Sequence, residues 1–189
     1  MEIESLVGVI ERSLNYVALN DDDIFKIKVA KLPKKDANNK STKVEKILNR
    51  ELHETTLNHR LAYYLENELV KGSVLDYNVD IEYNRNFGNS KSVIIEGNDI
   101  PIRPDILIHK RMSDNLGDNL LVVEAKKGKS SQHDYNKIIA LMKDERYLYK
   151  FGLLVSYSNQ NYIEAVLHFK EDDSKIRTRT INIQRKNNR

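Results

Sequence analysis

The 189-residue chain has no cysteine, so disulfides, thiolate zinc sites and cysteine nucleophiles are excluded, and a reducing compartment suits it. It has no apolar run near the roughly 20 residues needed to span a bilayer. It has no internal repeat, and its first residues, Met1-Glu2-Ile3-Glu4-Ser5-Leu6, carry acids where a signal peptide would carry positive charge. A cytoplasmic protein without a membrane partner is the expectation.

What is present is 40% hydrophobic and 31% charged residues with a formal net charge of +3. That supports one proper core and hardly two, so a single domain is expected. A mildly basic balance permits a polyanionic partner without requiring one.

Apolar residues at helical spacing predict a first amphipathic helix over residues 3–18, then a short strand over 24–29. Residues 31–42 lack apolar periodicity and contain Pro33, which reads as a connector. Residues 1–42 are thus expected to be an N-terminal appendage packed on a core spanning 43–189. A long helix is predicted over 43–70, from Ile47, Leu57, Leu61 and Leu65, with a stop at Lys71-Gly72-Ser73. Strands follow over 75–84, 92–96, 101–110 and 120–127, with a turn at 85–90. A helix after Gly128, strands over 151–156, 164–170 and 176–183, and a frayed polar tail from Arg185 complete the chain. The fold class is α/β, a mixed central β-sheet flanked by helices.

The chemically informative stretch is Arg103-Pro104-Asp105-Ile-Leu-Ile108, a polar loop, then Leu120-Leu-Val-Val-Glu124-Ala125-Lys126-Lys127. Side chains alternate along a strand, so Glu124 and Lys126 share a face about 7 Å apart, and Asp105 reaches that face if the two strands pair. Carboxylates and an ammonium at the end of an aliphatic strand pair are costly to bury without compensation. A hard cation such as Mg²⁺ or Mn²⁺ supplies it through oxygen ligands. The predicted long helix offers a further acid: Glu54 falls within about 20° of Leu61 and Leu65 on the apolar stripe, whereas Glu51 is rotated further off and Glu68 lies about four turns away.

Pro104-Asp105, followed nineteen positions later by Glu124-Ala125-Lys126 on a second apolar strand, resembles the signature of the PD-(D/E)XK, or restriction-endonuclease-like, nucleases over about residues 43–156. The wording around Glu54-Thr-Thr-Leu-Asn-His-Arg60, Glu82-Tyr-Asn-Arg85 and Asp134-Tyr-Asn-Lys137 is similar to uncharacterised bacterial members. The resemblance implies a restriction-endonuclease-like core and a Mg²⁺- or Mn²⁺-dependent nuclease acting on nucleic acid, DNA in preference to RNA. It implies metal binding by Asp105, Glu124 and the Ala125 carbonyl, Glu54 as an additional or water-bridged ligand, and Lys126 as the catalytic lysine. Nucleases of this sort often cut both strands as homodimers, although no self-complementary surface is readable here. The alternative is an inactive nuclease-fold module that binds nucleic acid or a protein.

Other features carry less. Asp173-Ser174-Lys175 repeats the Asp-x-Lys spacing, but in a polar turn with no Pro-Asp partner, which makes it a decoy. His53-Glu54 lacks a histidine three residues on, so a metalloprotease pair is excluded. His109 and His133 read as loop or helix-start residues and not as ligands, although His109 shares parity with Asp105 and could line the cleft. Lys127 and Lys129 could contact phosphate or form a solvated strand end, and the stripe of Lys175, Arg177 and Arg179 reads as a strand face charged for solubility, with phosphate contact the alternative. Tyr63, Tyr64, Tyr147 and Tyr149 read as core-rim aromatics. Gln132 and Tyr135 are one position too close for the Gln-x-x-x-Tyr of some relatives, and carry no role.

Overall fold

Helix α1 (Ile3–Asn20) places Leu6, Ile10, Leu14 and Val17 on one stripe, all fully buried. The computed structural model describes residues 1–21, 24, 28–35, 41–48, 54–86, 89–113, 115–157, 162–171 and 175–185, with the backbone alone described for 28–35, 41–48, 86, 89 and 116. Strands β1 (Lys28–Lys35) and β2 (Ser41–Leu48) form an antiparallel two-stranded ribbon, in register from Lys28↔Leu48 to Lys35↔Ser41. Two expectations are corrected here. Of the connector expected over 31–42, residues 31–35 and 41–42 are strand, and of the long helix expected from residue 43, residues 43–48 are strand as well, 36–40 and 49–53 lying outside the described residues. Thr42, Val44 and Ile47 are β-branched and favour extended backbone, and helical phase in that stretch rested on Ile47 alone. Of the strand expected over 24–29, Lys28 and Val29 are strand, Ile24 is helical, and 25–27 lie outside the described residues. Pro33 is tolerated because a two-stranded ribbon is all edge.

Helix α2 (Glu54–Lys71) buries Leu57, Leu61, Leu65 and Leu69. It stops where expected, but Ser73, not Gly72, takes the left-handed conformation (φ 58°), and the Val74 N–H donates to the Leu69 carbonyl at 2.9 Å. Arg12 and Lys71 both pair with buried Glu68, and Arg60 pairs with Asp21 at 2.7 Å, which ties α2 to α1 and its end. Glu68 is therefore committed to helix packing and is no site acid.

The remaining elements are β3 (Asn78–Ile81), β4 (Arg85–Asn86), β5 (Asn89–Ser90), β6 (Ser92–Ile95), β7 (Asn98–Pro101) and β8 (Ile106–His109), then a 3₁₀ turn at Leu116–Asp118 and β9 (Asn119–Lys126). Helix α3 (Gln132–Lys143) and strands β10 (Phe151–Ser156), β11 (Tyr162–Lys170) and β12 (Ile176–Gln184) follow. The single strand expected over 101–110 is broken: β7 belongs to a hairpin with β6, turned by Glu96 and Gly97 at positive φ, and only Ile106 to His109 joins the main sheet. Pro101 and Pro104 lack the N–H groups that a continuous ladder needs.

The fold is mixed α/β, with a six-stranded sheet in the order β12-β11-β10-β9-β8-β3, antiparallel except for the β9–β10 pair that α3 connects. Helices α1 and α2 pack with Ile106, Val123, Leu153 and Ile181 on one face, and α3 packs with Val93, Leu107, Val122 and Leu154 on the other. Buried on both faces, β9 and β10 read as continuous apolar runs. Arg185, expected in a frayed tail, is buried. Among the described residues no helix is long and apolar enough to cross a membrane.

At the β3 edge, Asp80 accepts from His109 Nε2 (3.0 Å) and is clamped by Arg111. Beside them Lys91 is 4% exposed, with its ammonium donating to the Arg85 carbonyl (2.6 Å) and lying 4.7 Å from the centre of the Tyr83 ring. Desolvation lowers Lys91 to about 8, against a lesser pull upward from Asp80. Between about 8 and the ordinary 10.5 the unfolded chain holds a proton that the folded chain releases, so stability rises with pH through that window. Urea midpoints of the wild type are expected to rise from pH 7.5 to 10 relative to those of Lys91→Met; parallel curves would refute this.

Candidate functional site

Strands β8 and β9 pair with Ile106 opposite Val123, so Asp105 lies across from Glu124 just beyond the last pair. Asp105 is held from both sides: its carbonyl accepts the Glu82 N–H (3.0 Å) and its Oδ2 accepts the Ala125 N–H (2.8 Å). Glu124 and Lys126 share the face of Val122, which is the α3 face. The end of β9 is pinned by the Tyr157 N–H, which donates to the Lys126 carbonyl at 2.9 Å.

Two helices converge on this strand end. Glu54, in the first turn of α2, accepts the Lys127 N–H through Oε2 (2.9 Å) and brings Oε1 to 3.6 Å from Lys126 Nζ. From α3, Asp134 Oδ1 lies 3.9 Å from Lys126 Nζ, and Lys137 Nζ lies 3.5 Å from Glu124 Oε2. Glu124 Oε2 is itself 3.9 Å from Lys126 Nζ. The helix is fixed there by a capping box in which the Ser131 hydroxyl and Asp134 carboxylate exchange backbone bonds. Asp134 and Lys137 were not assigned roles from the sequence. The signal was available: Ser131-x-x-Asp134 marks a helix start, and Asp134 and Lys137 are three apart on one helical face.

The electrostatics are strained. Glu124 is 2% exposed and its Oε1 has no hydrogen-bond partner among the described residues. Desolvation first, then the charge of Asp105, push it up to about 7, with Lys137 and Lys126 opposing. Asp105 is also raised by desolvation, against the Ala125 N–H and Lys126. Burial pulls Lys126 down, but the carboxylates of Asp105, Glu54, Glu124 and Asp134 outweigh it and raise its pKa. Fully ionised, these four carboxylates face two ammonium groups, which leaves two negative charges in a largely desolvated pocket.

Such a deficit suits a divalent cation in charge, and the donors are the oxygen ligands that Mg²⁺ or Mn²⁺ prefers. The side chains do not stand in a chelating arrangement: among the described residues no three His, Cys, Asp or Glu groups are placed to grip one ion. The structure thus gathers Glu54, Asp105, Glu124 and Lys126 at one strand end, with the Ala125 N–H turned to Asp105.

Other candidates fall elsewhere. Lys127 and Lys129 are exposed on the segment after β9. His109 sits at the far end of β8, bound to Asp80, and does not line this cluster. Arg177 pairs with Glu171 (3.0 Å) and Arg179 with Glu4 of α1 (2.8 Å), so the basic stripe on β12 is met by acids. Glu51 and His53 lie outside the described residues. The Tyr135 ring packs 5.4 Å from that of His168. A surface cavity of about 980 Å³, lined by Gly117, Leu148, Lys150 and Phe169 among others, opens at the other end of β10, away from the acids. No family model matches the chain, and no curated protein is significantly similar to it.

Proposed function

We propose that this chain is a metal-dependent nuclease of the PD-(D/E)XK type, with a restriction-endonuclease-like core formed by α2, β3, β8, β9, α3 and β10. The observation that carries the reading is the Lys126 ammonium set among Glu54, Glu124 and Asp134, beside an Asp105 that lies across from Glu124 on the paired strand. Asp105, Glu124 and the Ala125 carbonyl would hold Mg²⁺ or Mn²⁺, with Glu54 as a further or water-bridged donor. Bound there, such an ion supplies charge neutralisation at phosphate oxygens and a lowered pKa for coordinated water.

The chain's own groups do the rest. Lys126, kept protonated by its carboxylate neighbours, donates to a phosphoryl oxygen or to the attacking water and stabilises charge that grows in the transition state. Glu54, anchored through its other oxygen on the Lys127 N–H, steers that ammonium. Lys137 holds Glu124, and Lys127 and Lys129 extend positive charge along the path of the strand. The substrate is nucleic acid, with DNA the first to test.

Incubation with supercoiled plasmid, single-stranded DNA and RNA, with Mg²⁺ or with chelator, is the test. Cleavage that needs the metal and disappears in Lys126→Ala and Asp105→Ala is the expected result; cleavage that persists in either variant would remove the assignment. An inactive binding module is the second reading, favoured by the commitment of Asp105 Oδ2 to the Ala125 N–H. Calorimetry with Mn²⁺ separates the two: uptake that Asp105→Ala abolishes supports the nuclease, and no uptake supports the module.

A further inference from the structure

The chain's excess positive charge is concentrated in one element. The β1–β2 ribbon holds six lysines (Lys28, Lys31, Lys34, Lys35, Lys43 and Lys46) against one acid, Glu45, a net +5 within 16 residues. The whole chain carries +3, so the other 173 residues sum to −2. Residues paired across an antiparallel ladder share a face. One face therefore takes Lys28, Lys34 and, opposite Ala30, Lys46, with no acid, while Glu45 falls on the other face opposite Lys31.

The ribbon makes its extensive contacts between its own strands, and no other helix or strand among the described residues packs against it comparably. An isolated two-stranded ribbon is marginal in water. An element this basic gains stability from a polyanion, and eight residues per strand span about 26 Å. A duplex presents one phosphate charge per about 1.7 Å of axis, and its major groove admits a two-stranded ribbon. Position along the chain matters as well. Leu48 ends β2 and Glu54 opens α2; six residue steps span at most about 21 Å. The ribbon base is thus tethered within reach of a duplex lying across the Lys126 cluster.

We infer that the β1–β2 ribbon is an arm that binds the phosphate backbone of duplex nucleic acid, its Lys28/Lys34/Lys46 face neutralising phosphates. The inference extends the nuclease reading by naming the surface that holds the substrate, and its test runs in chelator so that binding is read apart from cleavage. A fluorescein-labelled 20-base-pair DNA duplex is titrated with the full chain, with Lys28→Ala/Lys34→Ala/Lys46→Ala, and with the matching Lys→Arg triple, at 50 to 200 mM salt and by anisotropy.

The alanine triple is expected to bind at least about 10-fold more weakly and to lower the salt slope by about 2.7, roughly 0.9 for each phosphate that is no longer neutralised. The arginine triple should stay within about 2-fold of wild type, which shows that charge and not folding is read. Wild-type affinity and slope in the alanine triple would overturn the inference. So would equal losses in both triples, or ribbon-dependent capture by anionic phospholipid vesicles with no duplex binding. Ribbon-dependent binding without cleavage under any metal would leave the arm standing and remove the nuclease; cleavage with ribbon-independent binding would do the reverse.

Discussion

Replacing Glu124 by glutamine is expected to raise the melting temperature of the metal-free protein at pH 8 and, in the same molecule, to reduce Mg²⁺-dependent cleavage by about 10³-fold or more. Glu124 is desolvated, has an oxygen without a partner, and is pushed up from the ordinary 4.5 to about 7. Its folded value lies above its unfolded one. The carboxyl therefore carries no penalty below about 4.5, costs stability as pH rises toward about 7, and carries the full penalty above that. At ~1.4 kcal/mol per unit the penalty is on the order of 3 kcal/mol, part of which the glutamine amide retains through its own unmet hydrogen bonds. A gain of about 5 °C at pH 8, shrinking toward zero at pH 4, is the expected melting result. Saturating Mg²⁺ should raise the wild-type melting temperature and leave that of the variant unchanged. A destabilised variant, or one that still cuts plasmid, would contradict the assignment of Glu124. The expected pairing of higher stability with lost activity marks a site whose buried charge is kept for function.

The sequence made the site strand legible and its surroundings less so. Leu120 to Val123 is a short apolar run of strand length, rich in β-branched residues at its end, and Glu124 and Lys126 beyond it break that run conspicuously. Gln132–Lys143 was readable because Ile138, Ile139, Leu141 and Met142 repeat at helical spacing after Gly128-Lys-Ser-Ser131. The β1–β2 ribbon was not, since alternation of lysine with Val, Ala and Leu matches no buried face, and its single proline argued for a connector. The helical phase of Glu54 put it with Leu61 and Leu65, but its reach toward Lys126 comes from its place in the first turn, beside the end of β9. The basic stripe on β12 looked free because its partner, Glu4, lies 175 positions away. His109, read as a loop or helix-start residue with cleft-lining as the alternative, ends β8 beside Asp80, because its neighbours are set by the β3–β8 pairing, which local sequence does not encode.

Adding a single methyl group at Gly152 is expected to be the most damaging small substitution in the fold. Gly152 lies in β10, opposite Val122 of β9 and His168 of β11, on the face that α3 covers. A Cβ there would stand 2.2 Å from Ile138 Cγ2 and 2.9 Å from Met142 Sδ. Both side chains are fully buried, so neither can swing into solvent. The glycine is required by close approach of helix to sheet, and Gly152→Ala should cost about 2–3 kcal/mol, or roughly 5–10 °C in melting temperature. The double variant Gly152→Ala/Ile138→Ala removes the clashing methyl, and its loss should fall short of the sum of the two single losses by at least about 1 kcal/mol in urea unfolding. Additive losses, or a Gly152→Ala midpoint equal to wild type, would show that the helix stands further off. The same substitution tests how the site is held: α3 carries Asp134 and Lys137 to Lys126 and Glu124, so a helix lifted by the extra methyl moves the ammonium of Lys137 away from Glu124. Cleavage per folded molecule should then fall along with stability, and the double variant, which lets the helix settle back but leaves a cavity at Ile138, should recover the cleavage without recovering the stability.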